Sequence, residues 1–166
     1  MSGLLLAMDL STNCGWALFR RTTPPTTPRF GTERLPPGDH GQRFAHLFDW
    51  LSEARSVMGF DALAFEKPIL PRKSGDLATT EDTMILLWGL AATVRLFAAQ
   101  RGMRCEPVGV QECKIALTNK QHATKDEMVV AAMKVFKWAV SDDHQADAGA
   151  VGLVAYGRIW PRPVAA

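Results

Sequence analysis

The chain has 166 residues, 47% apolar and 22% charged, which is enough to bury one core and too short for two, and which excludes a disordered tail or a fibrous repeat. A net charge of +2 excludes a protein basic throughout, so any contact with nucleic acid has to be local. Cys14, Cys105 and Cys113 are widely spaced with no CxxC pair, which argues against a zinc knuckle or a disulfide framework and for reduced thiols in a cytoplasmic protein. The N-terminus lacks a cationic leader, and the apolar stretch Met84 to Ala99 is shorter than a bilayer span and contains Arg95, so a soluble protein without a membrane partner is expected.

Leu4 to Met8 is apolar at every position, as in a strand covered on both faces, and it ends at Asp9. An ionised carboxylate there is costly to bury unless it is paired or bound to a cation. Asp9 alone is equally well explained as a cap of the Ser11-Thr12-Asn13 bend and as a group that handles metal or phosphate. Cys14 to Phe19 predicts the second strand of a hairpin, and Phe30 to Leu35 a short third strand before Pro36-Pro37-Gly38. From Gly41, the apolar residues Phe44, Leu47, Phe48, Leu51 and Val57-Met58 recur at helical spacing up to Gly59. Asp61 to Glu66 is again a short apolar strand ending in an acid, followed by Pro68 and Pro71. Asp9 and Glu66 therefore hold equivalent places at the ends of two core strands.

Glu81 to Gln100 predicts a helix with Thr79 as N-cap and acids in its first turn. Its segment Met84 to Val94 is apolar almost all round, which places it at a core centre or, in a domain this small, at the interface with a symmetry mate. Arg104 to Val108 predicts a fifth strand and Val110 to Leu117 a short helix. Thr124 and Glu127 form a capping box ahead of Met128, Val129, Ala132, Met133 and Phe136 on one face. Ser141-Asp142-Asp143 opens a last helix running to about Tyr156. The sum is one α/β domain over residues 1–166, with a mixed five-stranded sheet whose first three strands are antiparallel and which is flanked by helices.

His144 and Asp147 lie three positions apart and share a face of that last helix, and the small residues Ala146, Ala148, Gly149, Ala150 and Gly152 let it approach a sheet closely. Should that face meet the strand ends, Asp9, Glu66, His144 and Asp147 converge, and three carboxylates together call for divalent cations. Taken singly, Glu66 is also explained as an edge acid beside Lys67, His144 as a surface histidine and Asp143 as an acid at a helix start.

In order along the chain, Leu6-Ala-Met-Asp9-Leu-Ser-Thr-Asn-Cys-Gly15-Trp16-Ala, Ala64-Phe-Glu66 and His144-Gln-Ala-Asp147-Ala resemble the motifs of the RuvC family of Holliday-junction resolvases. The resemblance runs from about residue 4 to residue 156. It implies an RNase H-like fold, a homodimer acting on four-way DNA junctions by paired symmetric nicks, and hydrolysis with two Mg2+ ions roughly 4 Å apart, with Mn2+ as substitute and no nucleotide cofactor. It implies Asp9 as bridging ligand, Glu66 and Asp147 as flanking ligands, and His144 as a nitrogen ligand or water-orienting group. Lys114 and Lys125 stand where family members carry two lysines that contact DNA near the active site. Lys67, Ile69, Leu70, Arg72, Lys73 and Lys120 complete the expected DNA surface.

Two departures from the family pattern point to a divergent, phage-type member. The aromatic that often follows the Glu is replaced by Ile69 and Leu70, which leaves an aliphatic wedge between bases. The Gly-rich turn before the second lysine is replaced by Thr118-Asn-Lys120-Gln-His122-Ala. Competing readings are a sugar-kinase or actin-like ATPase, which needs two such domains and a second phosphate loop, an RNA-processing or flap nuclease on the same fold, and a junction-binding protein without catalysis.

Overall fold

The computed structural model describes residues 3–25, 27–69 and 80–161. Its centre is strand β1 (Leu4–Asp9), buried at every position from Leu4 to Met8. β1 pairs antiparallel with β2 (Asn13–Arg20), which pairs antiparallel with β3 (Arg29–Arg34). On its other side β1 pairs parallel with β4 (Ala62–Glu66), and β4 parallel with β5 (Arg104–Val108), giving the order β3-β2-β1-β4-β5. The bend between β1 and β2 is closed by Ser11, whose hydroxyl accepts from the Asn13 N–H at 3.2 Å. Pro107 is tolerated because β5 is an edge strand.

Helices α1 (His40–Met58) and α2 (Glu81–Gln100) cover one face; α3 (Val110–Thr118), α4 (Lys125–Lys134) and α5 (Asp143–Ile159) cover the other. Because side chains alternate along a strand, the two faces have separate memberships. Leu4, Leu6 and Met8 of β1 and Leu63 and Phe65 of β4 join the α1/α2 core with Leu47, Leu51, Leu90, Val94 and Phe97. Leu5 and Ala7 of β1 and Ala62 and Ala64 of β4 join the α5 core with Phe19, Met128, Trp138 and the alanines of α5. Asp9 has the parity of Leu5 and Ala7, and Glu66 that of Ala62 and Ala64. The alternation that builds the core therefore carries both acids to the α5 side.

The helices begin and end where local chemistry puts them, with three departures from expectation. Asp39 caps α1 through the Gln42 N–H at 2.8 Å, and Gly59 ends it at φ 72°, a left-handed conformation that glycine adopts without strain. The N-cap of α2 is Thr80, which accepts from the Thr83 N–H at 3.2 Å; Thr79 lies outside the described residues. Helix α4 stops at Lys134, so Phe136 lies beyond it and packs 4.9 Å from Trp138, while Met133 is exposed rather than on the buried face. The chain turns at Lys137, φ 59°, and that turn ends the helical periodicity. Val57, at the end of α1, is also exposed.

Helix α2, with 20 residues and a mean hydropathy of 1.4 over its most apolar window, has the length and composition to cross a membrane, contrary to the shorter segment expected. In this fold Leu86, Leu90, Ala91, Val94, Phe97 and Ala98 pack it into the core.

Glycine sets how near α5 comes to the sheet. A Cβ on Gly152 would stand 1.9 Å from the ring of buried Phe19. Gly152→Val is expected to destabilise the protein by about 1–3 kcal/mol, the usual cost of overpacking, as measured by chemical denaturation. A neutral substitution would mean that α5 lies farther out.

Candidate active site

The site forms where β1 and β4 end against the first two turns of α5. Asp142 caps that helix by accepting from the Gln145 N–H at 2.8 Å, so His144 and Asp147 emerge at its start on one side. His144 Nδ1 meets Asp9 Oδ2 at 2.8 Å across 135 residues of sequence. Close approach is possible because Gly15, paired with Asp9 in the β1-β2 ladder, has no side chain: a Cβ there would stand 2.1 Å from the His144 carbonyl oxygen.

The charges couple across this space. Burial pushes the Glu66 carboxyl up to about 8, Asp9 and Asp147 add to the push, and Lys114 and Lys125 oppose it. Burial likewise raises Asp147 to about 6, with Asp9 adding to it and Lys125 opposing it. The hydrogen bond to Asp9 raises the His144 imidazole against the effect of its own burial. Lys125 Nζ holds Asp143 Oδ2 at 2.6 Å, which keeps the Asp143 carboxyl below its ordinary range. Cys113 is buried within reach of these carboxylates, and burial raises its thiol, so it stays protonated and forms an apolar wall.

Of the residues expected here, Asp9, Glu66, His144, Asp147, Lys114 and Lys125 come together at this end of the sheet. The positive charge near Glu66 comes from Lys114 and Lys125 rather than from adjacent Lys67. Exposed Lys67 and Ile69 line a cleft of about 210 Å3 with Asp9, Leu10, Glu66, Pro68 and Leu87. Lys120 does not join the site: it pairs with Glu127 at 2.6 Å on a separate groove between α3 and α4. Leu70, Arg72 and Lys73 lie outside the described residues. The expected convergence of His144 with Asp9 takes the form of a direct bond, whereas the sequence pattern gives no sign of the Lys125–Asp143 pair.

Among the described residues, no group of three or more His, Cys, Asp or Glu side chains stands close enough together to hold a metal ion as those side chains lie. Asp9 is turned onto His144 instead. The donor chemistry nevertheless fits a hard divalent cation: three carboxylates, two of them raised by burial and mutual repulsion, are groups that a cation would stabilise in their ionised form.

No protein-family model matches the sequence, and no curated protein sequence matches it. Solved structures do. Thermus thermophilus RuvC superposes with a TM-score of 0.70 at 20% identity, covering 94% of this chain and 95% of that one. The fold is that of RuvC. T. thermophilus RuvC in complex with a Holliday junction substrate gives a TM-score of 0.72 at 20% identity over the same shares of both chains. The yeast mitochondrial Holliday junction resolvase Ydc2 gives 0.57 at 11% identity, covering 94% of this chain and 77% of that one. The expected RNase H-like class, a mixed five-stranded sheet flanked by helices, therefore stands.

The raised groups fix the sign of a pH effect. Glu66 and Asp147 keep protons in the folded state that the unfolded chain releases, and the stabilising His144–Asp9 contact weakens as the imidazole loses its proton above its ordinary pKa. All three make the metal-free protein less stable as pH rises from about 5 to about 8, by an amount on the order of a few kcal/mol. Thermal melts in chelator should show a falling midpoint over that window, Glu66→Gln should flatten most of the slope, and Mg2+ should restore more stability at the upper end. A midpoint that rises with pH would contradict the described burial of Glu66.

Proposed function

We propose that this protein is a structure-selective endonuclease that resolves four-way DNA junctions by paired symmetric nicks, acting in the cytoplasm of a bacterial or phage-infected cell. The observation that carries this reading is the meeting of Asp9, Glu66 and Asp147 with Lys114 and Lys125 at one end of the sheet. The fold shared with a junction-bound resolvase over 94% of the chain supports it.

Divalent cations held by Asp9, Glu66 and Asp147, Mg2+ or, with the imidazole of His144 among the donors, Mn2+, would supply a nucleophilic water at neutral pH and neutralise charge on the leaving 3′ oxygen. The chain's own residues do the rest. His144 Nδ1 orients the Asp9 carboxylate. The ammonium groups of Lys114 and Lys125 bring positive charge toward the scissile phosphate, and Lys125 is aimed by Asp143. DNA enters along the cleft lined by Lys67 and Ile69, where Ile69 is the apolar group able to wedge a base step. Leu70, Arg72 and Lys73 extend that strip in sequence.

A two-fold junction calls for two sites, and α2 supplies a surface for pairing two copies. Ile85, Trp88 and Leu96 are 50%, 39% and 54% exposed on the side of α2 facing away from the core, with Ala92 exposed between them. The spacing of these residues puts them on one stripe. A homodimer through this stripe buries it and sets two carboxylate sites into one symmetric particle.

Incubation of an end-labelled four-way junction with Mg2+ or Mn2+ tests the reaction. Paired nicks are expected from the native chain, and Asp147→Asn should lower the rate by at least about 100-fold, the scale of losing a principal charge-stabilising group, with junction binding retained. Cleavage confined to structured RNA or to flaps would overturn the substrate assignment.

Trp88→Glu should convert the dimer to a monomer in light scattering. It should also change paired resolution of a cruciform plasmid into single nicking, because a charge in an apolar interface is costly to bury. A native chain that is monomeric yet nicks both strands symmetrically would contradict the pairing.

A further inference from the structure

Asp9 on β1, Gly15 on β2 and Thr32 on β3 stand side by side across the sheet. The first turn of α5 lies over this row. His144 meets Asp9, and the His144 carbonyl occupies the space above Gly15. Thr32 Oγ1 donates to Asp142 Oδ2 at 3.0 Å and accepts from Gln145 Nε2 at 3.1 Å. Gln145 is the one buried polar side chain among the described residues, 8% exposed. Its Oε1 accepts from the Ser141 N–H at 3.0 Å, and its backbone N–H donates to Asp142 Oδ1 at 2.8 Å. Thr32, Asp142 and Gln145 thus close a ring of bonds in which each partner's orientation is set by the other two.

Farther along, α5 is held by other contacts: the rings of Phe19 and Trp138 seat on Gly152 and Gly149, and the Tyr156 hydroxyl donates to the Arg21 carbonyl at 2.9 Å. At the first turn the inward residue Ala146 offers no knob of its own, so the side-chain bonds there carry the local rotation. Successive helical residues are about 100° apart, so a small turn of the helix about its axis moves His144 and Asp147 together, away from Asp9. The ring, exposed at Thr32 and buried at Gln145, resists such a turn, because a shifted Gln145 would leave its amide unpaired in the interior.

We infer that Thr32 and Gln145 are positioning residues: through the first turn of α5 they set the rotation that holds His144 and Asp147 against Asp9. The consequence for cleavage rests on the nuclease reading above; the hold on α5 does not.

Thr32→Val is nearly isosteric and suits a strand, but it can neither donate to Asp142 nor accept from Gln145; Thr32→Ser keeps both bonds. In the full chain, amide hydrogen exchange over residues 143–147 should quicken about 10-fold in Thr32→Val, while β1 and the part of α5 beyond Gly152 stay as protected as before. On a four-way junction, kcat should fall by about 10-fold or more with KM unchanged, as when a group that orients a site residue is removed. Thr32→Ser should match the native chain in both measurements. Native exchange in Thr32→Val, faster exchange with native kcat, or a change confined to KM would overturn the inference. Absence of junction cleavage by the native chain would remove the nuclease reading, and the exchange comparison would then decide the role of Thr32 alone.

Discussion

Helix α5 can lie on β1 and β2 only because both surfaces are made of very small side chains. Ala7, Ala17 and Ala64 face Ala146, Ala148, Gly149 and Gly152, and Gly15 lies under the His144 carbonyl. Such a contact buries little apolar area per residue, and its return in stability is correspondingly small. The aromatic cluster beside it compensates: Trp138 stands 6.3 Å from Phe19, 5.4 Å from Phe30 and 4.9 Å from Phe136, and fills the space next to Gly149. Large rings brace the helix from the flank so that its inner face can stay small. Any larger residue on that inner face would lift the helix and separate Asp9 from His144.

Proximity of this kind creates an electrostatic problem and supplies part of the answer. Alternation along β1 and β4 sends Asp9 and Glu66 to the same side as Asp147, into a volume where water is scarce. Like charges there raise one another, and the protein offsets them with a histidine on Asp9 and with two lysines from neighbouring helices. Lys125 is itself restrained by Asp143, so its charge has a defined place and adds little to overall stability. The remaining imbalance of negative charge is what a divalent cation would offset in the proposed reading.

The parts of this design that follow local rules were legible in the sequence. Fully apolar strands ending in an acid, a helix with an acid and a histidine three residues apart, and a stripe of alanine and glycine are periodic features, and each fell where the pattern indicated. Helix ends were less legible. Thr79 and Thr80 are the same residue side by side, and only the bond to the Thr83 N–H tells which one caps α2. The apolar spacing of α4 continues through Phe136 although the helix stops at Lys134, and the turn at Lys137 brings Trp138 beside Gly149 of α5, a contact that spacing alone does not reveal. The convergence of Asp9 with His144 follows from the strand end and the helix face, but the pairs Lys125–Asp143 and Thr32–Gln145 leave no local trace, since their members come from elements whose relative placement is known only in three dimensions. The same reason explains how a chain at 20% identity keeps the fold: polarity patterns survive where individual side chains do not.

The central claim is that Asp9, Glu66 and Asp147 form a divalent-cation site under α5. Anomalous diffraction at the manganese edge, from crystals of the full chain grown with Mn2+, tests it most directly. Anomalous density is expected between these three carboxylates, with Asp9 drawn onto the ion. Saturating Mn2+ with no density there, or with density only at surface acids elsewhere, would contradict it.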